Sequence, residues 1–262
     1  MKVRRTIGEV RSFWERNPVG AAAIPHPIGS AAYFGAYDAL REKTESIQFS
    51  NTLHEYTEFA GKRVLDIGCG NGYVLSRYAR QGAQTYGVDL TWRAIGLCRQ
   101  RFELERLSGQ FVVANAEKLP FRTAAFDCVN SMGVLHHTPE TGKAISEVWR
   151  VLRPGGRLIL MFYHRASLQY RWKFALAAAL TGKSRDHLAR EVDGEGNPIG
   201  KTYTREELAD LLRRFERVEI FAGVLQGNML VPRVGRVIPA AVLRPFESRF
   251  GWFLYAKAIR PA

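Results

Sequence analysis

The feature that most constrains this chain is Asp66-Ile67-Gly68-Cys69-Gly70-Asn71-Gly72, set between an apolar run at 63–67 and a helix-like run at 74–80. Glycines there let the backbone turn sharply and bring N–H groups close to a ligand at a helix start. The next apolar run, 85–89, ends in Asp89, 23 residues after Asp66. A carboxylate so placed can accept from both hydroxyls of a ribose.

The same texture continues. Further strands are expected at 111–113, 126–131, 157–162, 217–221 and 253–258. Between them, 92–107 and 141–152 carry apolar residues at helical period, the second stopping at Pro154-Gly155-Gly156. Thr204-Arg205-Glu206-Glu207 is a capping-box pattern that opens another helix. Alternation of strands with helices of about 10–15 residues means βαβ units and a doubly wound, mostly parallel α/β sheet of seven strands with helices on both faces. Residues 1–60 read as an N-terminal helical segment or lid, with helices near 10–16 and 31–43, ahead of a domain at 61–262. Insertions are expected at about 163–200 and 222–250.

Spacing narrows the ligand. A dinucleotide site wants G-x-G-x-x-G, with a pyrophosphate on the helix N-terminus. Here the spacing is G-x-G-x-G, and Asp66 stands in the strand just before it. A carboxylate at that point repels a pyrophosphate and suits an ammonium or sulfonium. S-adenosylmethionine (SAM) carries both, and a ribose.

These segments resemble the class I SAM-dependent methyltransferases, in particular the ubiquinone/menaquinone methyltransferase-like (methyltransferase type 11) group. Residues 64–72 resemble their first motif, and Gly87-Val88-Asp89-Leu90 their ribose-binding strand end. Residues 114–121, 126–129 with 133–139, and 151–156 resemble the adenine segment, the fourth-strand motif and the turn before the fifth strand. Phe13 to Pro18 and Asp193 to Pro198 resemble segments of a bacterial subgroup whose members mostly lack an assigned substrate. The resemblance implies a Rossmann-like fold and SAM as cofactor. It implies that Gly68, Cys69, Gly70 and Gly72 shape the loop at the methionine end and that Asp66 orients that end. Asp89 would then hold the ribose, Leu90 would pack on the adenine, and Asn115 and Ala116 would flank it. Asn115 stands where the group usually has an aspartate. Ser131 and Met132 are expected beside the sulfonium.

The acceptor end is less defined. His136 and His137 follow the fourth strand and are the candidates for acceptor contact or proton removal, with His136 slightly preferred. Tyr163 and His164, at the end of the fifth strand, are candidate substrate-wall residues. Tyr33 is a candidate substrate contact through an N-terminal cover, although Tyr33 and Tyr37, four apart on one helix face, read more readily as core. His26, His54 and His187 have no company that suggests a metal, so none is expected.

Composition limits partners more than fold. With 46% hydrophobic and 24% charged residues the chain is an ordinary globular sequence. Its 38 basic and 25 acidic residues leave 38 − 25 = +13. That excess fits a small-molecule methyltransferase with a hydrophobic or aromatic acceptor and C- or O-methylation, its apolar-basic segments touching anionic membrane as a peripheral contact. Nucleic acid or protein as the acceptor, reached through the basic surface, ranks second, because no RNA-binding module or Arg-Gly run is present. A SAM-binding protein without catalysis ranks third. Cys69, Cys98 and Cys128 form no disulfide framework, which points to a reducing compartment; the absence of a signal-like or membrane-spanning run points to the cytoplasm.

Overall fold

The structure, a computed structural model, describes residues 5–230 and 237–262. Arg233 and Arg236 of the basic C-terminal stretch, and Met1 to Arg4, lie outside the described residues.

Three helices precede the sheet: α1 (Ile7–Arg16), α2 (Ala31–Thr44) and α3 (Ile47–His54). Then follow β1 (Arg63–Ile67), α4 (Tyr73–Arg80), β2 (Gln84–Asp89), α5 (Trp92–Leu104), β3 (Gln110–Val113) and β4 (Phe126–Met132). Next come α6 (Thr141–Val151), β5 (Leu152–His164), α7 (Phe174–Thr181), α8 (Arg185–Arg190) and the short β6 (Thr202–Tyr203). The chain closes with α9 (Arg205–Leu211), β7 (Glu216–Gly223), α10 (Gly227–Leu230), α11 (Ala240–Phe250) and β8 (Phe253–Ile259).

The sheet runs β3-β2-β1-β4-β5-β8-β7. Its first five strands are parallel, and β8 is antiparallel to both neighbours. These are the seven expected strands. The additional β6, two residues long, pairs parallel with the end of β5. The helix α3 has no clear sequence signal, and within the insertion expected at about 163–200 the chain forms a π-helical turn, Gln169–Lys173, that leads into α7. The expected turn at Pro154-Gly155-Gly156 falls inside β5, where the register against β4 shifts and Gly155 adopts φ 73°.

Strand alternation sorts the side chains onto two faces. Leu65, Ile67, Val129, Leu158 and Leu160 pack against α6 and α9 through Val148 and Leu208. Val64, Cys128, Ile159 and Met161 face the opposite way, toward Tyr78 of α4 and Tyr33 and Tyr37 of α2. Helices α2 and α3 therefore share the core of the sheet, through Tyr33 and Leu53. Side-chain oxygens of Thr6, Ser30, Ser46, Thr91 and Thr204 cap the following helices, and the capping box at Thr204 and Glu207 forms as its sequence predicts.

Candidate active site

A cleft of about 250 Å3 opens at the carboxyl ends of β1, β2, β4 and β5. In an open α/β sheet this is where ligands bind. At one end lies the glycine loop. Gly68, Gly70 and Gly72 all hold positive φ, at 77°, 53° and 80°. A Cβ on Gly68 would come within 2.2 Å of Val134, and one on Gly72 within 2.9 Å of the Cys98 sulfur. A Cβ on Gly70 would project into open space, its nearest neighbour the Gly68 carbonyl at 4.0 Å. Gly68 and Gly72 are thus demanded by packing, whereas Gly70 keeps the cleft clear. Gly72 itself does not line the cleft, although Gly68, Cys69 and Gly70 do.

Two carboxylates border this end. Asp66, buried at the end of β1, accepts from the Asn130 amide at 2.6 Å across the β1–β4 register. Burial pushes its carboxyl up to about 7; the Asn130 amide opposes the shift and the nearby Asp89 charge adds to it. Asp89 accepts the Gly70 N–H at 3.2 Å and the Thr91 N–H and hydroxyl at 3.0 Å each. Burial raises its pKa as well, against the donors from Thr91, Gly70 and Leu90. Both groups are short of positive charge, so this end suits a cation. A pyrophosphate would meet two acids.

SAM fits this end. Asp66 lies where an ammonium would be welcome, Gly70 leaves room for a ligand against its backbone, and Asp89 retains accepting capacity for a ribose. Leu90, Asn115 and Ala116 line the same end. The Asn115 side-chain oxygen accepts the Glu117 N–H at 2.9 Å, which shapes that turn. Met132 also lines the cleft. Ser131 does not: it is fully buried and donates to the Ile67 carbonyl at 3.0 Å. Adjacent strand residues face opposite ways, so Ser131 sits with Val129 while Met132 sits with Asn130.

At the other end the two histidines part company. His136 is fully buried, lies outside the cleft lining, and neither ring nitrogen has a hydrogen-bond partner. Burial, then the neighbouring His137 and Lys201, drive its pKa well below the usual histidine value, so the ring is a neutral packing element. The preference for His136 is corrected here. His137 lines the cleft, and its Nδ1 makes a short contact with the Ile199 carbonyl. A carbonyl only accepts, so the Nδ1 N–H donates in that contact and Nε2 is the ring's remaining nitrogen. That Nε2 lies 3.5 Å from an Asp193 oxygen. Asp193 also accepts from the Tyr163 hydroxyl at 2.6 Å. Burial, with Asp193 beside it, holds the Tyr163 phenol well above its ordinary value, so it stays a donor.

His164, on the opposite face of β5, points Nδ1 at the Gly251 carbonyl at 2.9 Å and does not line the cleft. Tyr33 is fully buried in the α2 core, and Tyr37 lines the cleft in its place. Asp193 went unread in the sequence as a site residue. The only hint was its place in the Gly- and Asn-rich cluster at 193–198.

The cleft walls are mostly apolar, with Met132, Met161 and Phe253 from the sheet and Tyr73 from the start of α4. Helix α1 adds Ile7, Val10 and Trp14, the last edge-on to His137 at 5.3 Å. Glu15 holds α1 there by accepting the Trp92 and Arg93 N–H groups of α5 at 3.1 and 3.0 Å, and Arg11 donates to the Leu90 carbonyl at 3.0 Å. A carboxylate on the free amides of a helix start is a favourable pairing.

A doubly wound sheet with an acid before the glycine loop and another ending the second strand defines a Rossmann-like, SAM-binding class. Comparison with known proteins agrees. A family model described as a methyltransferase domain matches residues 65–160. A phthiotriol/phenolphthiotriol dimycocerosates methyltransferase of Mycobacterium ulcerans is 32% identical over 62% of this chain and 53% of its own length. A ubiquinone biosynthesis O-methyltransferase of Xanthomonas oryzae is 31% identical over 64% of this chain and 68% of its own. Across the first curated relatives it matches, the chain spans about half to two thirds of their length. The fold is shared with magnesium protoporphyrin IX methyltransferase from Synechocystis, solved with bound S-adenosylhomocysteine, at a TM-score of 0.61 and 16% identity over 97% of this chain and all of that one. The chain belongs to the class I SAM-dependent methyltransferases, within the ubiquinone/menaquinone methyltransferase-like group, and SAM is its cofactor.

Proposed function

We propose that this chain methylates a small, hydrophobic or aromatic acceptor at an oxygen or carbon that must lose a proton, with His137 taking that proton. When bound, SAM supplies a methyl group on a sulfonium, already joined to a good leaving group. The protein's work is then to position the acceptor and to manage its proton.

The observation that carries this reading is the pairing of His137 and Asp193 inside an otherwise apolar cleft that also holds the glycine loop. The Ile199 carbonyl accepts the Nδ1 N–H, the His137 ring lines the cleft, and Asp193, 3.5 Å from Nε2, stabilises the ring once that nitrogen is protonated. Tyr163 orients Asp193. Tyr73, Met161 and Phe253 offer an apolar seat, and α1 acts as a lid that excludes water. The names of the relatives, a dimycocerosate lipid methyltransferase and a ubiquinone-biosynthesis O-methyltransferase, support an apolar acceptor.

The test incubates the protein with SAM tritiated in its methyl group and a bacterial lipid and quinone extract, and counts label in the organic phase. Label above a heat-killed control is expected, and Asp89→Ala should abolish it together with SAM binding. Label confined to added RNA or protein would overturn the acceptor class; unchanged SAM binding by Asp89→Ala would overturn the ribose assignment.

A further inference from the structure

Helix α7 and the π-helical turn before it have two unlike faces. On the inner side Tyr170 and Phe174 are buried, Phe174 meets Trp252 at 5.6 Å, and Trp252 stacks on Tyr163 at 4.8 Å. This helix therefore backs the acceptor wall. On the outer side Trp172, Leu176 and Leu180 follow one another at four-residue intervals and are 61%, 55% and 78% exposed. A helix face turned to water is ordinarily polar. This one is an apolar stripe.

Its surroundings are basic. Residues 165–185 contain Arg165, Arg171, Lys173, Lys183 and Arg185 and no Asp or Glu. Arg165 is committed to Glu207 and Lys183 to Glu191. Arg171, Lys173 and Arg185 pair with no carboxylate among the described residues, and Arg185 lies over the Tyr170 ring. Among the described residues no helix is long and apolar enough to cross a membrane. An exposed Trp and two Leu on one helix face, bracketed by unpaired cations, match the chemistry of a lipid headgroup boundary, where rings and aliphatic chains enter the acyl edge and cations meet phosphates.

We infer that the outer face of α7 docks on the surface of an anionic lipid bilayer, with Trp172, Leu176 and Leu180 entering the interface and Arg171, Lys173 and Arg185 facing the headgroups. Charge selects this occupant over an apolar protein partner, whose surface would leave the cations unanswered. The docked helix sets the acceptor wall one layer from the lipid, so that a membrane-dissolved acceptor is close to the cleft. That last consequence rests on the methyl-transfer reading, whereas vesicle binding does not require it.

The experiment is co-sedimentation of the full chain with phosphatidylcholine vesicles and with phosphatidylcholine/phosphatidylglycerol vesicles, at low and high salt, with SAM binding measured in parallel. Wild type should bind the anionic vesicles and lose them in high salt. Leu176→Glu with Leu180→Glu, and Arg171→Glu with Lys173→Glu, should each bind roughly tenfold more weakly or less, while SAM affinity stays unchanged. Preserved SAM binding shows that the variants fold. Equal sedimentation of wild type and both variants, or no binding by wild type, overturns the proposal. So does self-association in ultracentrifugation that the Leu variant abolishes, which would assign the stripe to a second copy. Vesicle binding without label transfer would leave the docking surface standing and remove only the methyl-transfer reading.

Discussion

The two ends of the cleft are built in different ways. The cofactor end comes from one stretch of chain: Asp66, Gly68, Gly70, Asp89, Leu90 and Asn115 lie within 50 residues, and backbone conformation does much of the work. The end proposed for the acceptor gathers Trp14, Tyr37, His137, Tyr163, Asp193 and Phe253 from six separate segments, and it is lined by side chains. A common cofactor can be held by a local loop, but a particular acceptor needs a wall assembled from distant parts. The two ends should therefore fail separately.

The largest expected effect is at the acceptor end. His137→Ala should lower methyl transfer by roughly a hundred- to ten-thousand-fold, the usual contribution of a positioned base, with SAM affinity unchanged by calorimetry. Weakened SAM binding in this variant would break the division between the ends. Gly68→Ala tests the opposite side. Its Cβ would sit 2.2 Å from Val134 at φ 77°, so the fold should lose roughly 2–5 kcal/mol in urea unfolding. A variant as stable as wild type would show that the loop gives way more easily than its packing implies.

A pH series sharpens the account of the cofactor end. Burial raises the Asp66 carboxyl to about 7, above the value of about 3.9 in an unfolded chain. The fold therefore favours the protonated form, and its contribution to stability is lost as pH climbs from about 4 to 7. A bound cation reverses that preference. SAM affinity should rise with pH up to about 7 and then level off, with a proton released on binding below that point. Calorimetry in two buffers of different ionisation enthalpy reads the proton directly, and Asp66→Asn should flatten the curve. A slope that survives in the variant would assign the effect to Asp89 instead.

The smallest effect separates the two histidines. His136 has no hydrogen bond at either nitrogen and is kept neutral by burial. Replacing it by an apolar residue leaves no orphaned partner. His136→Leu should hold activity within a few fold of wild type and keep or raise the melting temperature. A loss comparable to that of His137→Ala would contradict the division of roles drawn from the cleft lining.

Much of this was legible in the chain because the signals are local. Strand alternation, the glycine loop, the acid 23 positions on and the Thr204 capping box each act over a few residues, and each formed where its chemistry required. The same period of two, applied one residue further, would have excluded Ser131 and His164: each is next to a residue that lines the cleft and so faces away from it. His136 and His137 share a 3-10 turn whose side-chain directions no short sequence rule assigns.

By itself the sequence determined the layer of strands, the glycine loop and the positions of its two acids, because neighbours along the backbone dictate those features. Only the tertiary structure decided that Asp193, 56 residues beyond His137, would meet it, and that Trp14 of α1 would pack edge-on to the same ring. Contacts of that kind depend on how distant segments pack across the sheet. Such packing is a property of the whole core and of no single stretch of chain.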